Sequence, residues 1–438
     1  MNNECIKLEE FAETRWKQYS LYTLEERALP SMIDGLKPSQ RFIIYSALKN
    51  AKDKFVKIVE LCGPISSYGY HHGEASANDA AILMAQAWNN NCPLLESRGN
   101  FGSRMIQEAA APRYIFAKLH SNFYDIFADT DLAPAHDDPE VKIPKYYLPI
   151  IPFVLLNGIR GTATGFATNI LPYDLKDIIK LCKDHISGKN ISSRSLTPSY
   201  PNFRGKIEKN EKDGWDLVGT FQQLSKTNLV ITELPFQYDR ESYIEILDDL
   251  EDRGVIVGYK DQCDQNGFKF SVTLSRNFND DIEKTFKLRK SVVENLNVIG
   301  ADGTLKEYAS PIDLIKDFCD FRLSYVQKRI DHEIKKLKDE MSLLKSKITF
   351  IEYVLENRIN FKGKNKNQLR NELLNLQFIE THVDHLLNMN FYHLTKEEIE
   401  KIEDKYLSLN DRLKYLKSTT SVTEYGLDLD NLLKKIKR

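Results

Sequence analysis

A heptad repeat of apolar residues in the C-terminal third of this chain restricts its fold more than any other feature. Helical character begins at Pro311, and apolar residues then recur in alternating steps of four and three, at Ile330, Ile334, Leu337, Met341, Leu344, Ile348, Ile351 and Leu355. A second run with this spacing comprises Ile399, Ile402, Tyr406, Leu409, Leu413 and Leu416. Because about forty residues join the two runs, they predict a long antiparallel coiled coil.

The segment between the two heptad runs predicts an apolar tip. It contains a predicted helix over Leu369–Leu387, followed by Met389, Asn390, Phe391 and Tyr392. Exposed apolar surface at the end of a coiled coil suits contact with a second copy of the chain, so we expect a dimer contact at about residues 360–395. The alternative is an ordinary helical hairpin packed on its own domain.

Length and composition predict a soluble protein of more than one domain. The chain has 438 residues, with 42% hydrophobic and 28% charged residues, which are ordinary values for globular proteins. Its net charge of −2 does not by itself indicate nucleic-acid binding, so local charge has to carry that inference. Six widely spaced cysteines indicate a reducing compartment. No signal peptide or membrane-spanning run is evident, so we expect a cytoplasmic protein without a membrane partner.

Changes of pattern along the chain predict three domains, of residues 1–150, 151–310 and 311–438. The first carries helical patterns beginning at Pro38 and covering Phe55–Leu61 and Glu74–Trp88. They resemble a helix-turn-helix layout, although tight helix packing without a partner is the alternative. The second mixes strand-like and helical runs, namely Ile150–Leu156, Leu229–Ile231, Val255–Val257 and Phe268–Leu274 for strands and Leu175–Ile186 and Arg240–Arg253 for helices.

Residues 97–120 form an unusually basic, glycine-containing stretch. It carries Arg98, Arg104, Arg113 and Lys118 against the single acid Glu108. Tyr114 directly follows Arg113, so a nucleophilic oxygen stands beside a cation that binds phosphate. This pairing is what an enzyme needs to open a phosphodiester and hold one end covalently.

Four motifs follow one another within about ninety residues and end at this tyrosine. They are Arg27-Ala28-Leu29-Pro30 with Asp34-Gly35-Leu36-Lys37-Pro38 and Arg41, then Tyr70-His71-His72-Gly73-Glu74, then Gly99-Asn100-Phe101-Gly102-Ser103, and finally Ala109-Ala110-Ala111-Pro112-Arg113-Tyr114. In this order they resemble the breakage-reunion subunits of type II DNA topoisomerases, the family that includes gyrase A. The glycine-rich segment Gly161–Asn169 and Thr232–Gln237 extend the resemblance, which is strongest to the short members of the family found in T-even-type bacteriophages.

The resemblance implies a mixed α+β multidomain fold. It comprises a winged-helix (CAP-like) DNA-binding domain, an α/β tower domain and a long antiparallel coiled coil with a C-terminal dimerisation gate. The implied function is the DNA cleavage and religation subunit of an ATP-dependent type II topoisomerase. Such a subunit makes a transient double-strand break through 5′-phosphotyrosyl links for strand passage, relaxation and decatenation.

The resemblance also assigns residues to roles. Tyr114 is the implied nucleophile, with Arg113, His72 and Arg27 as further catalytic residues at the scissile phosphate. The implied DNA-binding residues are Lys37, Arg41, His71, Asn78, Asn100, Ser103, Thr162 and Asn169. For Lys37 and Arg41 the alternative is an ordinary surface charge, and for His71 it is packing. Thr162 stands where the family usually has an isoleucine that bends DNA, and its hydroxyl weakens such an apolar wedge.

Several functions are expected to reside in partner chains. The sequence has no GxxxxGK[ST] loop, so the resemblance implies that ATP is hydrolysed by a partner subunit with ATPase and TOPRIM domains, which also holds Mg²⁺. No metal site is expected in this chain. The DNA-wrapping domain of gyrase A is not expected either, which favours relaxation over supercoiling. Double-stranded DNA and a second copy of the chain are the remaining expected partners. The alternative function is that of a non-catalytic architectural DNA-binding protein on the same fold.

Overall fold

The computed structural model describes residues 12–163, 165–361 and 363–436, which fall into two compact units. One unit reaches to Phe321 and takes in the segment from Asp428 onward, and the other is Arg322–Leu427. The predicted mixture of helices and strands in a multidomain chain is confirmed. The domain boundaries at residues 150 and 310 stay predictions.

The first part of the larger unit is mainly helical. Its helices are α1 (Lys17–Thr23), α2 (Pro38–Asn50), α3 (Ile58–Cys62), α4 (Glu74–Ala85) and α5 (Ser121–Ile126), with π-helical turns at Ala12–Trp16 and Leu24–Ala28 and 3-10 turns at Gly63–Tyr68 and Thr130–Leu132. Helix α2 begins at Pro38 as predicted, because the amide that proline lacks has no partner in a first helical turn. The Gln40 Oε1 atom accepts from the Lys37 amide at 2.9 Å and completes this helix start.

A three-stranded antiparallel sheet accompanies these helices. Its strands are β1 (Val56–Lys57), β2 (Leu95–Arg98) and β3 (Phe116–Leu119), in the order β1-β3-β2. Val56 pairs with Ala117, and Leu95 pairs with Leu119. Short helices on a small antiparallel sheet form the predicted winged-helix arrangement.

Residues 153–308 of the larger unit mix helices and strands, as expected for the α/β tower. Its helices are α6 (Phe153–Asn157), α7 (Leu175–Ile186), α8 (Arg240–Asp252) and α9 (Ile282–Thr285), and its strands are β4 (Ile159–Ala163), β5 (Phe166–Ile170), β6 (Lys206–Lys209), β7 (Trp215–Val218), β8 (Thr220–Gln223), β9 (Asn228–Glu233), β10 (Ile256–Asp261), β11 (Phe270–Leu274), β12 (Arg289–Val292), β13 (Leu296–Ile299) and β14 (Leu305–Tyr308). The strands form antiparallel sheets ordered β10-β11-β9-β8, β12-β7-β6, β13-β14 and β4-β5. Helix α8 packs its apolar face, including Tyr243 and Leu247, on β9 and β11.

The smaller unit contains the predicted coiled coil. The helices of the C-terminal region are α10 (Pro311–Leu355), α11 (Lys366–Asn375), α12 (Glu380–Leu387), α13 (Lys396–Ser418) and α14 (Ser421–Ile436), with a 3-10 turn at Phe391–His393. Leu337 and Met341 of α10 pack against Leu413 and Leu416 of α13, so both heptad runs face each other. Ion pairs join Glu333 to Arg412 and Glu340 to Lys405. Residue numbers thus rise along one helix as they fall along the other, which confirms the antiparallel pairing.

Three local predictions were wrong. Ile150–Leu156 is not a strand, because its C-terminal half begins helix α6, and a continuous apolar run fits a buried helix as well as a strand. Phe55–Leu61 is not one helix, because Val56 and Lys57 pair with β3. Leu369–Leu387 is interrupted at Gln377, where φ is 64°, and Phe378 then packs with Leu373 in a separate small core.

Two further properties concern the described residues only. The five cysteines among them, Cys62, Cys92, Cys182, Cys263 and Cys319, are all free thiols. None of the described helices has the length and apolar character needed to cross a membrane.

Candidate active site

Tyr114 is an exposed side chain on a well-anchored backbone. Its amide donates to the Ala111 carbonyl at 2.9 Å, and the next residue, Ile115, is buried and leads directly into β3. The side chain itself is 65% exposed, which is unusual for a large aromatic residue. The Arg113 guanidinium lies over the ring, 4.8 Å from its centre. The Tyr114 side chain is therefore open to a large substrate, with a permanent cation against its ring.

The glycine-containing loop before Tyr114 is held by its own side chains. Asn100 Oδ1 accepts from the Gly102 amide at 2.9 Å, and Ser103 Oγ accepts from the amides of Met105 and Ile106 at 3.2 Å. Both side chains are exposed, so they lie where DNA contact is open to them, yet each has a structural task. Their predicted DNA contacts stay predictions. Gly102 is required because its φ is +77° and a Cβ would stand 2.5 Å from the Gln107 carbonyl oxygen.

A cavity of about 670 Å³ brings four of the predicted residues together. Arg27, Lys37, His72 and Asn169 line it, with Arg160 as a further cation. Among the described residues of its lining, there is no Asp or Glu. Three cations and a histidine suit an anion such as phosphate. Tyr114, Arg113, His71 and Thr162 are not part of this lining.

Lys37 and Arg160 are in direct contact inside the cavity. Lys37 follows the Asp34–Leu36 turn and precedes α2, and its Nζ donates to the Arg160 carbonyl oxygen at 2.6 Å. Burial lowers the pKa of the Lys37 ammonium, because an apolar surrounding disfavours the charged form. An anion bound in the cavity would stabilise the positive charge of the Lys37 ammonium.

His72 and Arg27 share the aromatic side of the cavity. The His72 ring packs edge-on against Tyr70, with ring centres 5.2 Å apart, and tilted against Tyr22 at 6.3 Å. Burial raises the pKa of the Tyr70 phenol, and the positive charge of Arg27 opposes that rise. The neighbouring His71 is exposed. The two histidines therefore have different environments, because His71 is exposed and His72 lines the cavity.

Two predicted DNA-binding residues lie in the interior instead. Arg41 pairs with Asp34 through Nε–Oδ2 and Nη2–Oδ1 distances of 2.6 and 3.1 Å, and its Nη2 also donates to the Leu36 carbonyl. Asn78 of α4 is only 9% exposed, and its Oδ1 has no hydrogen-bond partner among the described residues. The DNA contacts of both residues stay predictions, and the structure gives Arg41 a structural task as well.

The β4-β5 hairpin presents Thr162 and Asn169. Thr162 pairs with Ala167 across the hairpin and is exposed, on the same side as Arg160. Arg160 Nε donates to Asn169 Oδ1 at 3.0 Å, and the Asn169 side-chain Nδ2 donates to the Val293 carbonyl. Sequence reasoning missed Arg160. The available signal was its place two residues before Thr162 in a strand, since alternate residues share a face.

The described residues include no cluster of three or more His, Cys, Asp or Glu side chains arranged to hold a metal ion. Mg²⁺ prefers oxygen ligands, chiefly carboxylates and water. The cationic lining of the cavity therefore does not fit this ion.

Comparison with known proteins identifies the family. Residues 27–430 match the family model described as the A subunit of DNA gyrase/topoisomerase IV. The chain is 43% identical to the DNA topoisomerase medium subunit of Enterobacteria phage T4 over 99% of both chains. It is 33% identical to DNA topoisomerase 2 of Plasmodium falciparum, covering 81% of this chain and 26% of that protein.

A solved structure supports the same relationship. The fold matches the DNA-binding, cleavage and re-ligation domain of Plasmodium falciparum topoisomerase II with a TM-score of 0.88 and 29% identity, over 98% of this chain and 64% of that one. The chain thus spans about a quarter of the Plasmodium falciparum topoisomerase 2 sequence and nearly all of the phage protein. It belongs to the A-subunit family of DNA gyrase and topoisomerase IV and is a cleavage-reunion subunit of a type II DNA topoisomerase.

Proposed function

We propose that Tyr114 is the nucleophile of this protein. The observation that carries the proposal is an exposed phenol, on a rigid backbone, directly beside the Arg113 guanidinium. In the reaction, the phenol oxygen attacks a DNA phosphorus and forms a phosphotyrosyl bond. The bond from phosphorus to the 3′-oxygen breaks, the phenol proton passes to a base or water, and the leaving oxygen takes up a proton as a 3′-hydroxyl. Religation is the reverse, so the energy of the broken bond is conserved in the protein–DNA link.

Arg113 is the proposed phosphate-binding partner of Tyr114. Its guanidinium neutralises charge that develops on the phosphate oxygens in the transition state. Arginine suits this task because its planar fork can hold two phosphate oxygens at once.

The cationic cavity is proposed to hold the DNA backbone. Arg27, Lys37 and His72 line this cavity together, so they offer a phosphate several donors. His72 further supplies imidazole nitrogens that can form a hydrogen bond with the phosphate. Most of this contact is to phosphate, which makes binding salt-dependent and weakly selective for sequence.

Mg²⁺ and ATP are proposed to enter through a partner subunit. The cavity lining does not fit Mg²⁺, and we propose that its carboxylate ligands come from another chain with a TOPRIM domain. Mg²⁺ at the site would stabilise the leaving oxygen. ATP hydrolysis is assigned to the same partner assembly, and the site of action to the cytoplasm, where free thiols persist.

A homodimer is proposed because one Tyr114 cuts one strand and a double-strand break needs two. The smaller unit exposes apolar side chains near the predicted tip. Tyr392 is 91% exposed, and Leu374, Leu376 and Ile379 are exposed as well. Such surface on an otherwise charged unit fits contact with a second copy.

Trapping of the covalent intermediate tests the nucleophile. The protein is incubated with its partner subunits, DNA and Mg²⁺, denatured, and analysed for protein–DNA adducts. Tyr114→Phe is expected to abolish the adduct while DNA binding persists. Tyr124→Phe, another exposed tyrosine nearby in sequence, is the matched control and is expected to behave as the unmodified protein. Equal adduct from Tyr114→Phe would refute the assignment. If the unmodified protein binds DNA but gives no adduct, the architectural function would be favoured.

A further inference from the structure

Arg104 is a buried cation that joins two parts of the larger unit. It lies in the loop between β2 and β3, and its side chain is only 13% exposed. Its Nη1 donates to the carbonyl oxygens of Phe236 and Tyr238 at 2.9 and 2.6 Å, and its Nη2 donates to that of Leu234 at 3.1 Å. Nη2 also lies 3.4 Å from Glu233 Oε1. The guanidinium therefore donates hydrogen bonds to the backbone carbonyls of the tower segment that follows β9.

Aromatic rings complete this environment. The guanidinium carbon lies 4.7 Å from the centre of the Phe236 ring and 5.2 Å from that of Phe268. A planar guanidinium can stack on rings and fork its donors at the same time, which a lysine cannot do. Arg104 is thus built into the tower rather than left free for DNA.

The loop around Arg104 has two more attachments to the tower. The Arg240 amide, at the start of α8, donates to the Met105 carbonyl at 3.0 Å, and the Met105 side chain packs on the tower core. The Gln107 backbone amide helps to lower the pKa of the nearby Asp239 carboxyl. The loop is therefore fixed to the tower at Arg104 and Met105.

The same loop is tied to the segment that carries Tyr114. The Ser103 amide donates to the Ile106 carbonyl at 2.7 Å, and the Ala110 amide donates to the Asn100 carbonyl at 3.0 Å. From Ala110 only three residues lead to Tyr114. On its C-terminal side Tyr114 is fixed through β3, and on its N-terminal side through this loop.

We propose that Arg104 is a positioning residue for DNA cleavage. Its side chain contacts the tower, and it acts on Tyr114 through the loop. It locks the loop of residues 99–107 onto the tower, so that Tyr114 keeps a fixed place relative to DNA held by the tower and the cationic cavity. The inference rests on the proposed role of Tyr114. A displacement of about 1 Å at a reacting group can cost on the order of a hundredfold in rate.

The test compares three arginine variants in the assembled holoenzyme. Arg104→Ala removes the clamp, and Arg104→Lys keeps a charge without the fork. Arg240→Ala is the matched control, because it removes an arginine–carboxylate pair with Asp261 on the tower but leaves the backbone bond to Met105. The measurements are the single-turnover rate of adduct formation at saturating DNA, the DNA dissociation constant, and amide hydrogen exchange over residues 99–114.

Arg104→Ala is expected to slow cleavage by about tenfold to a hundredfold with less than a threefold change in DNA affinity. Hydrogen exchange in the loop should rise while β9 stays protected. Arg104→Lys should recover only part of the rate, and Arg240→Ala should cleave normally. A normal cleavage rate in Arg104→Ala would overturn the inference. So would an equal loss of cleavage, DNA binding and β9 protection, which would indicate general unfolding. The proposed nucleophile is tested separately, because Tyr114→Phe must remove the adduct whatever Arg104 does.

Discussion

The Asp34–Arg41 pair offers a quantitative test of how the cationic cavity is supported. Asp34 is fully buried and the Arg41 side chain is 12% exposed. Asp34 also accepts from the amides of Leu36 and Tyr147 at 3.0 and 3.1 Å, and Lys37 follows this turn. Removing one partner of a buried ion pair costs about 3–5 kcal/mol, because the other charge is left uncompensated.

Arg41→Met should therefore destabilise the larger unit. The two backbone amides still donate to the Asp34 carboxylate. We therefore expect the free energy of unfolding to fall by an amount near the lower end of that range, about 3 kcal/mol. The double variant Asp34→Asn/Arg41→Met removes both charges and should recover about 2 kcal/mol of that loss.

Urea denaturation followed by tryptophan fluorescence measures these changes. All three tryptophans, Trp16, Trp88 and Trp215, lie in the larger unit, so the signal is specific to it. Arg253→Met is the control, since its exposed pair with Asp249 should contribute less than about 1 kcal/mol. A loss below about 1 kcal/mol for Arg41→Met, or a double variant no more stable than Arg41→Met, would refute the reasoning. A lower salt dependence of DNA binding in a folded Arg41→Met would assign Arg41 to a phosphate instead.

Three further predictions concern the site and its loop. Lys37→Ala should lower the slope of log affinity for DNA against log salt by about one, measured by fluorescence anisotropy, whereas Lys49→Ala, outside the cavity lining, should leave it unchanged. Gly102→Ala should reduce adduct formation and destabilise the loop by more than the roughly 1 kcal/mol expected for a left-handed alanine alone. Gly188→Ala, at a similar φ with open space around it, should lower stability by only that amount. Equal losses of stability in Gly102→Ala and Gly188→Ala would contradict a clash at Gly102. Burial raises the pKa of Asp239, but hydrogen bonds from Ser242 and Gln107 outweigh this and hold it below its usual range. The carboxylate therefore stabilises the fold above about pH 4 and ceases to do so as pH falls through its lower folded pKa. The stability difference between the unmodified protein and Asp239→Asn, measured by urea unfolding, should stay constant from about pH 7 to 5 and close below about pH 4, and a constant difference at all pH values would count against this.

Much of the fold could be predicted where the pattern is long and periodic. The heptad runs predicted α10 and α13 and their antiparallel pairing, and helix α7 lies where its apolar period indicated. Short apolar runs were harder. The Ile150–Leu156 run has no period, and only its burial among other elements makes Phe153–Asn157 a helix.

The candidate site was likewise predicted only in part from the sequence. Ordered motifs ending at Arg113 and Tyr114 were enough to indicate the chemistry. They did not reveal that Arg27, Lys37 and His72 line one cavity with Arg160. They also did not reveal that Arg41 is paired with Asp34, or that Arg104 is paired with tower residues more than a hundred positions away.

The sequence by itself indicated the family, the coiled coil and the arginine–tyrosine pair that we propose as the cleavage site. Each of these rests on residues close in sequence, whose spacing and chemistry are legible without coordinates. Only the tertiary structure decided what each cation does. Arg41, Arg104 and Lys37 are all basic residues in the sequence. In the fold, Arg41 is in a buried ion pair, Arg104 holds a loop and Lys37 lines a cavity. The free energy of a charge depends on its burial and its partners, and folding brings those partners from distant parts of the chain.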